Sequence, residues 1–169
     1  MSIAENIQNI LREIPNNVKL IAVSKTKPVE QILEIYNSGY KIFGENRPQE
    51  LTEKYKVLPK DIEWHMIGHL QTNKVKYITP FVSLIHGVDS FKLLQVINKE
   101  ANKNNRIVNC LLQFHIAKEE TKFGFNLSEA IEMLSSKDFL FLQNVNIVGV
   151  MGMATFTENT QVVRAEFKE

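Results

Sequence analysis

Short apolar runs alternate along the chain with amphipathic segments of helical period, and the alternation continues from the first residues to the last. The runs are rich in β-branched residues, which is typical of buried strands, whereas the segments between them carry apolar residues every three or four positions. The predicted strands are residues 18–24, 41–44, 63–68, 82–88, 107–116 and 145–153. The predicted helices are residues 1–14, 28–39, a segment through Leu51 and Tyr55, 71–78, a segment from Ser90, 128–134, and 158 to the end.

Strands that alternate with helices predict parallel βαβ units and therefore the α/β class. The turn after the first strand, residues 24–28, is not the Gly-x-Gly-x-x-Gly turn of an open nucleotide-binding sheet, which favours a TIM-type (β/α) barrel. A complete (β/α)8 barrel needs roughly 200 residues or more. Residues 1–169, interpreted as a single domain, are therefore expected to hold about six of eight βα units. Either the barrel is truncated at its C-terminus or the sheet is open at one edge.

Charge and composition exclude several classes of protein. Twenty Lys and Arg residues against 19 Asp and Glu give a formal net charge of +1, which offers no electrostatic support for nucleic-acid binding. No apolar run reaches the roughly 18 residues that a membrane helix needs, and the N-terminus lacks the pattern of a signal peptide. A cytoplasmic protein with neither nucleic acid nor membrane as a partner is expected. Cys110, the single cysteine, is predicted to be a buried strand residue.

In parallel α/β folds, residues at the carboxyl ends of strands perform the chemistry. Lys25 ends the first apolar strand, so its stem is expected to begin inside the barrel mouth. A partly desolvated lysine exposes a neutral amine more readily, and such an amine attacks an aldehyde to form a Schiff base. A solvated lysine at a strand end is the alternative. Asn46 ends the second strand, where its amide could bind a ligand without adding charge.

The histidines indicate less. His65 and His69 are four residues apart but lie on a strand and the turn after it, so a metal site is not expected. His86 is predicted to be a hydrogen-bonded core residue. His115 ends the fifth strand and could line the cavity or fill the core.

Five motifs in register resemble those of the pyridoxal phosphate homeostasis protein family, whose members are similar to the N-terminal barrel of alanine racemase. The resemblance covers essentially the whole chain. The motifs are Ala22-Val23-Ser24-Lys25-Thr26-Lys27-Pro28, Phe43-Gly44-Glu45-Asn46-x-x-Gln49-Glu50, Trp64-His65-x-Ile67-Gly68-x-Leu70-Gln71-x-Asn73-Lys74, Ile85-His86-x-Val88-Asp89, and Gly149-Val150-Met151-Gly152-Met153-Ala154.

The resemblance implies a cofactor and four residues that bind it. Lys25 matches the family lysine that holds pyridoxal 5′-phosphate as an aldimine, and Asn46 matches a pocket asparagine. Met151 and Gly152 match the segment that flanks the cofactor at the end of the sixth strand. His69 departs from the family's usual proline. The family's Ser-, Gly- and Arg-rich phosphate-binding segment, around strands seven and eight, has no match within residues 1–169.

The expected function is to hold or deliver pyridoxal phosphate without substrate turnover, and apo enzymes that depend on the cofactor are possible partners. Racemisation needs acid–base groups on both faces of the substrate α-carbon, and in alanine racemase, as the resemblance implies, an added β domain supplies one of them. A small pyridoxal-phosphate-dependent racemase or decarboxylase is the alternative. A third possibility is a structural or partner-binding barrel in which Lys25 is incidental.

Overall fold

The computed structural model describes residues 2–117 and 123–168. The strands in these ranges are β1 (Ala22–Val23), β2 (Ile42–Glu45), β3 (Glu63–Met66), β4 (Leu84–Val88), β5 (Val108–Phe114) and β6 (Val145–Gly152). The helices there are α1 (Ile3–Glu13), α2 (Val29–Asn37), α3 (Pro48–Val57), α4 (Val75–Ile78), α5 (Phe91–Lys103), α6 (Leu127–Ser135), α7 (Lys137–Leu140) and α8 (Thr160–Glu166). Among these described helices, none is long and apolar enough to cross a membrane.

The strands form one parallel sheet in the order β1-β2-β3-β4-β5-β6. Chain order and spatial order coincide, because each helical crossover places the next strand beside the previous one. The predicted α/β class and the parallel strands are confirmed. Within the two described ranges, β1 and β6 are the edges of the sheet and do not pair, so hydrogen bonds do not close it into a barrel there.

The two faces of the sheet differ in what covers them. Side chains alternate between the faces of a strand, and residues that are register partners share a face. Phe43 and Trp64 are partners on the face covered by the helices, and both are fully buried. The opposite face, called the open face here, carries one row of register partners across the sheet: Val23, Gly44, His65, Leu84, Asn109 and Asn146.

The core lies between the sheet and the helices. Ile32 of α2, Leu51 of α3 and Ile97 of α5 pack there against the strands and are almost completely buried. Each such side chain contributes about 1.5–3 kcal/mol through its removal from water. The helix ends follow from local sequence, since Ser2 and Asn126 begin α1 and α6 with reciprocal capping boxes. This packing holds the strands in place, and their carboxyl ends form the edge of the sheet that carries the candidate site.

Two differences from the sequence prediction are the length of the first strand and an additional helix. The first strand comprises only Ala22–Val23, because β1 has a single neighbouring strand in the described sheet and the start of the apolar run, at Val18, is half exposed. The helix α7 was not predicted. It begins after Ser136, whose hydroxyl accepts from the Phe139 N–H. With four residues, it is too short to show a helical period in the sequence.

Cys110 lies in the centre of β5 and is fully buried, which confirms its predicted place. Burial raises the pKa of its thiol to about 12. The thiol therefore stays protonated at neutral pH, and Cys110 acts as a small core residue.

Candidate functional site

Lys25 lies in a tight turn directly after β1. The Ser24 N–H donates to the Gly44 carbonyl at 3.0 Å, and the Lys27 N–H donates to the Ser24 carbonyl at 3.0 Å. Thr26 has a φ of +63°, a left-handed conformation that β-branched residues rarely adopt. The Lys25 side chain is exposed, although the sequence predicted a partly desolvated stem. The reason is that β1 is an edge strand of the described sheet and has β2 on one side only.

Asn46 lies beside Lys25 at the same edge of the sheet. Val23 and Gly44 are register partners on the open face, and Lys25 and Asn46 each follow two residues later. Asn46 is half-buried and is closely packed by the third strand's end, since a Cβ atom on Gly68 would lie 2.6 Å from the Asn46 carbonyl oxygen. Asn46 can therefore lie this close to residue 68 only because glycine has no side chain. Lys25 and Asn46 thus follow register partners of neighbouring strands at one edge of the sheet, and their part in a cofactor site stays a prediction.

Met151 and Gly152 end β6 at the opposite side of the sheet. They pair with Gln113 and Phe114 of β5, and both are half-buried. All strands run in one direction, so these residues share the carboxyl edge with Lys25. Within the described sheet, however, four strands lie between them and β1, and no hydrogen bond joins the two groups there.

A cluster of buried charged groups lies immediately behind the Lys25 turn. The Lys54 ammonium donates to Glu45 Oε1 at 2.7 Å, to Glu50 Oε1 at 2.7 Å and to the Ser24 carbonyl at 2.8 Å. The Ser24 hydroxyl also donates to Glu45 Oε1, at 2.6 Å. The side chain of Glu45 is fully buried and that of Lys54 is 8% exposed. We call Ser24, Glu45, Glu50 and Lys54 the anchor cluster.

The anchor cluster was missed by sequence reasoning, although one signal was available. Glu45 ends a strand directly after the buried Phe43 and Gly44, and an unpaired carboxylate in such a place is unfavourable. Glu50 and Lys54 are four residues apart on α3 and would pass for a surface ion pair. The Lys54 ammonium holds the pKa of Glu50 below its ordinary value, with the Thr26 N–H adding to the effect. Glu50 is thus a carboxylate at neutral pH.

His65 and His86 form a pair on the open face of the sheet. Nδ1 of His65 lies 2.9 Å from Nε2 of His86, so one ring donates to the other. Burial, the neighbouring His86 and the Lys19 ammonium lower the pKa of His65 to about 4, and burial also lowers the pKa of His86. Both rings are neutral at pH 7. The predicted hydrogen bond of His86 is confirmed, but its predicted place in the core is not, because the side chain lies half-buried on the open face and not between the sheet and the helices.

The other two histidines lie apart from this pair. His69 contacts Asp89, Nδ1 to Oδ2 at 2.9 Å, and stacks on Phe123 with ring centroids 4.1 Å apart. His65 and His69 therefore do not converge on one ion, and no cluster of three metal-ligating side chains occurs within residues 2–117 and 123–168. His115 is exposed after β5, so it does not fill the core. A cavity of about 520 Å³ lies beyond Asp89, between the start of α5 and α6.

The comparisons with known proteins agree with this fold. Residues 1–169 match the profile of the family described as the alanine racemase N-terminal domain, so the chain belongs to that family. The solved alanine racemase of E. faecalis has a TM-score of 0.77 over 98% of this chain and 45% of its own. Its identity is 14%, so this likeness concerns the fold alone.

Within that family, the chain belongs with the pyridoxal phosphate homeostasis proteins. It is 44% identical to the one from Aquifex aeolicus over 158 residues, which cover 91% of this chain and 67% of the relative. The Haemophilus influenzae protein of the same name is 35% identical over 85% of this chain and 61% of its own. The chain thus spans about two thirds of the length of these relatives. The predicted family resemblance is confirmed.

Solved structures extend the comparison to the coordinates. PipY of Synechococcus elongatus PCC7942, solved without PLP, has a TM-score of 0.89 and 33% identity over 98% of this chain and 77% of its own. The same protein solved with PLP bound has a TM-score of 0.85 and 33% identity, over 98% of this chain and 76% of its own.

Proposed function

We propose that this chain binds pyridoxal 5′-phosphate covalently through Lys25, as a carrier that holds the cofactor within a single barrel-type domain of residues 1–169. The observation that supports it most directly is an exposed primary amine, on a turn fixed by an internal cluster, beside the amide of Asn46 at the carboxyl edge of the sheet. PipY, which shares the fold at 33% identity, has been solved with PLP bound.

The residues present fit the aldehyde end of the cofactor. Bound pyridoxal phosphate would supply an aldehyde carbon, and the Lys25 amine would form a C=N bond to it while the carbonyl oxygen leaves as water. Asn46, half-buried against Gly68, offers an amide that can donate to or accept from a polar substituent of the ring without adding charge. Met151 and Gly152 are proposed to contact the cofactor from β6.

The proposed task is storage and delivery of the cofactor to apo enzymes that depend on it, without turnover of a substrate by this chain. Curated relatives are named homeostasis proteins, which supports a carrier function. The chemistry of racemisation adds a physical argument, since proton removal and return on opposite faces of a carbon need two placed acid–base groups. In the described residues around Lys25, the nearby carboxylates are Glu45 and Glu50 of the anchor cluster. Both already accept hydrogen bonds from Lys54, and Glu50 also accepts from the Thr26 N–H.

The test is chemical trapping of the lysine adduct. Wild-type protein, Lys25→Ala and Lys27→Ala are incubated with pyridoxal phosphate, reduced with borohydride and mapped by peptide mass spectrometry. We expect an adduct at Lys25 in the wild type and in Lys27→Ala, and a loss of that adduct in Lys25→Ala. Lys27 is a matched control because it is also exposed and lies on the same turn. An adduct that maps to Lys27 would contradict the assignment.

A second assay separates a carrier from a racemase or decarboxylase. Amino acids are incubated with the cofactor-loaded protein in deuterium oxide, and α-deuterium is measured by NMR. We expect incorporation no faster than with Lys25→Ala, far below the roughly 10 per second of a typical enzyme. Sustained incorporation that depends on Lys25 would establish turnover instead.

A further inference from the structure

The Lys25 turn is held on both sides of the lysine by the anchor cluster. On the N-terminal side, the Ser24 carbonyl accepts from the Lys54 ammonium at 2.8 Å. On the C-terminal side, the Thr26 N–H donates to Glu50 Oε1 at 2.7 Å. The two holding groups are themselves joined by the Lys54–Glu50 ion pair at 2.7 Å. Side chains of one helix, α3, therefore form hydrogen bonds with the residue before Lys25 and with the residue after it.

The turn needs these hydrogen bonds because its backbone is strained. Thr26 has a φ of +63°, where a β-branched side chain crowds its own backbone. A strained residue keeps its conformation only while its surroundings enforce it, and such residues occur preferentially at functional sites. Glu50 is the group that holds the Thr26 amide. Without that contact, we expect Thr26 to relax toward negative φ. Because Lys25 is the preceding residue, its side chain should then change direction.

We propose that Glu50 and Lys54 are positioning residues for Lys25, which fix the turn so that the lysine amine faces the cofactor aldehyde. The proposal rests on the function proposed above and adds residues that touch neither the cofactor nor the reacting atoms. Lys54 is also the counter-ion of the fully buried Glu45, so its removal leaves a buried carboxylate unpaired. Glu50, whose side chain is 25% exposed, is therefore the better position for a test.

The experiment compares Glu50→Ala with Glu50→Gln. The amide oxygen of Gln can still accept from the Thr26 N–H, whereas Ala cannot. Glu53→Ala is the matched control, because Glu53 lies on the same helix, is exposed and pairs only with Lys56 among the contacts described. Two quantities are measured in each protein: the rate at which pyridoxal phosphate forms the borohydride-trapped adduct at Lys25, and the hydrogen-exchange rate of the Thr26 amide without cofactor.

In Glu50→Ala, we expect adduct formation at Lys25 to slow about tenfold, because small misplacements of a reacting group reduce rates steeply. The Thr26 amide should exchange at least about tenfold faster, because its acceptor is gone. Glu50→Gln and Glu53→Ala should stay within about twofold of the wild type in both measurements. Adding Thr26→Asn to Glu50→Ala should restore most of the adduct rate, since Asn adopts positive φ far more readily than Thr.

Failure of this proposal is distinguishable from failure of the proposed function. If the wild type forms no adduct at Lys25, the proposed function is wrong, and with it the role of Glu50 toward the cofactor. If the wild type reacts at Lys25 and Glu50→Ala reacts equally fast, the positioning role is wrong. A slow Glu50→Ala that Thr26→Asn does not rescue, with unchanged Thr26 exchange, would also overturn it.

Discussion

Replacing His65 by glutamine should flatten the acid dependence of this protein's stability. His65 is 2% exposed on β3 and faces His86 at 2.9 Å across the open face of the sheet. Its pKa in the folded chain is about 4, against an ordinary value of 6.5. Burial is the main cause, followed by the charges that His86 and Lys19 would add, while Glu63 acts weakly in the opposite direction.

The sign of the effect follows from proton binding. Between pH 6.5 and about 4, the unfolded chain protonates this imidazole and the folded chain does not, so the unfolded state gains stability as the pH falls. The stability that His65 supports is complete above about pH 6.5 and declines through this window. The difference between 6.5 and about 4 corresponds to about 3 kcal/mol of unfolding free energy. The lowered pKa of His86 adds in the same direction.

Urea denaturation at constant ionic strength, from pH 8 to pH 4, measures this dependence. With a slope of about 2 kcal/mol/M, the wild-type midpoint should fall by roughly 1.5 M from this group alone. Glutamine can donate or accept at the same place but does not titrate, so the midpoint of His65→Gln should fall much less. Carboxylates such as Glu50 titrate in both proteins and cancel from the difference. His86→Gln gives a second variant in case His65→Gln folds poorly. Equal pH slopes in wild type and both variants would refute the reasoning.

Two further predictions follow from local geometry. Gly68→Ala places a Cβ atom 2.6 Å from the Asn46 carbonyl oxygen and should lower the unfolding free energy by about 1–3 kcal/mol in thermal or urea denaturation. Gly149→Ala is its control, because the nearest contact there is 3.4 Å from a flexible Leu111 methyl group. Cys110 should not react with a thiol reagent at pH 8 in the folded protein and should react fully in urea, because its thiol is buried with a pKa of about 12. Rapid labelling under native conditions would show that β5 is open to solvent.

Much of the fold was predictable because the apolar runs are short, regular and separated by helix caps. The places of Lys25 and Asn46 followed from one rule, that parallel strands end at the same edge. The histidine pair was not predicted, although His65 and His86 lie one strand–helix repeat apart and face each other across neighbouring strands. That relation was not drawn from the sequence, because a histidine within an apolar run gives no sign of its partner.

The anchor cluster could not be predicted in the same way. Its members come from the end of β1, from β2 and from two adjacent turns of α3, and their contact depends on how closely α3 packs against the strands. Sequence patterns assign charged residues to water by default, and Glu50 with Lys54 has the spacing of an ordinary surface pair. The exposure of Lys25 was likewise a matter of tertiary structure, because it depends on which strands flank β1.

Successive side chains of a strand point to opposite faces, so the anchor cluster and the candidate site lie on opposite sides of the same chain segments. Ser24 and Glu45 are buried members of the cluster, and the residues that follow them, Lys25 and Asn46, are the proposed cofactor contacts. A buried ion pair is often no more stabilising than apolar residues of the same size, so stability alone is a weak reason for Lys54 to lie there. Strain at Thr26 costs about 1–3 kcal/mol on its own account. Under the function proposed above, both costs have a directional explanation: the contacts that hold Ser24 and Glu45 also limit the directions in which the next residues, Lys25 and Asn46, can extend.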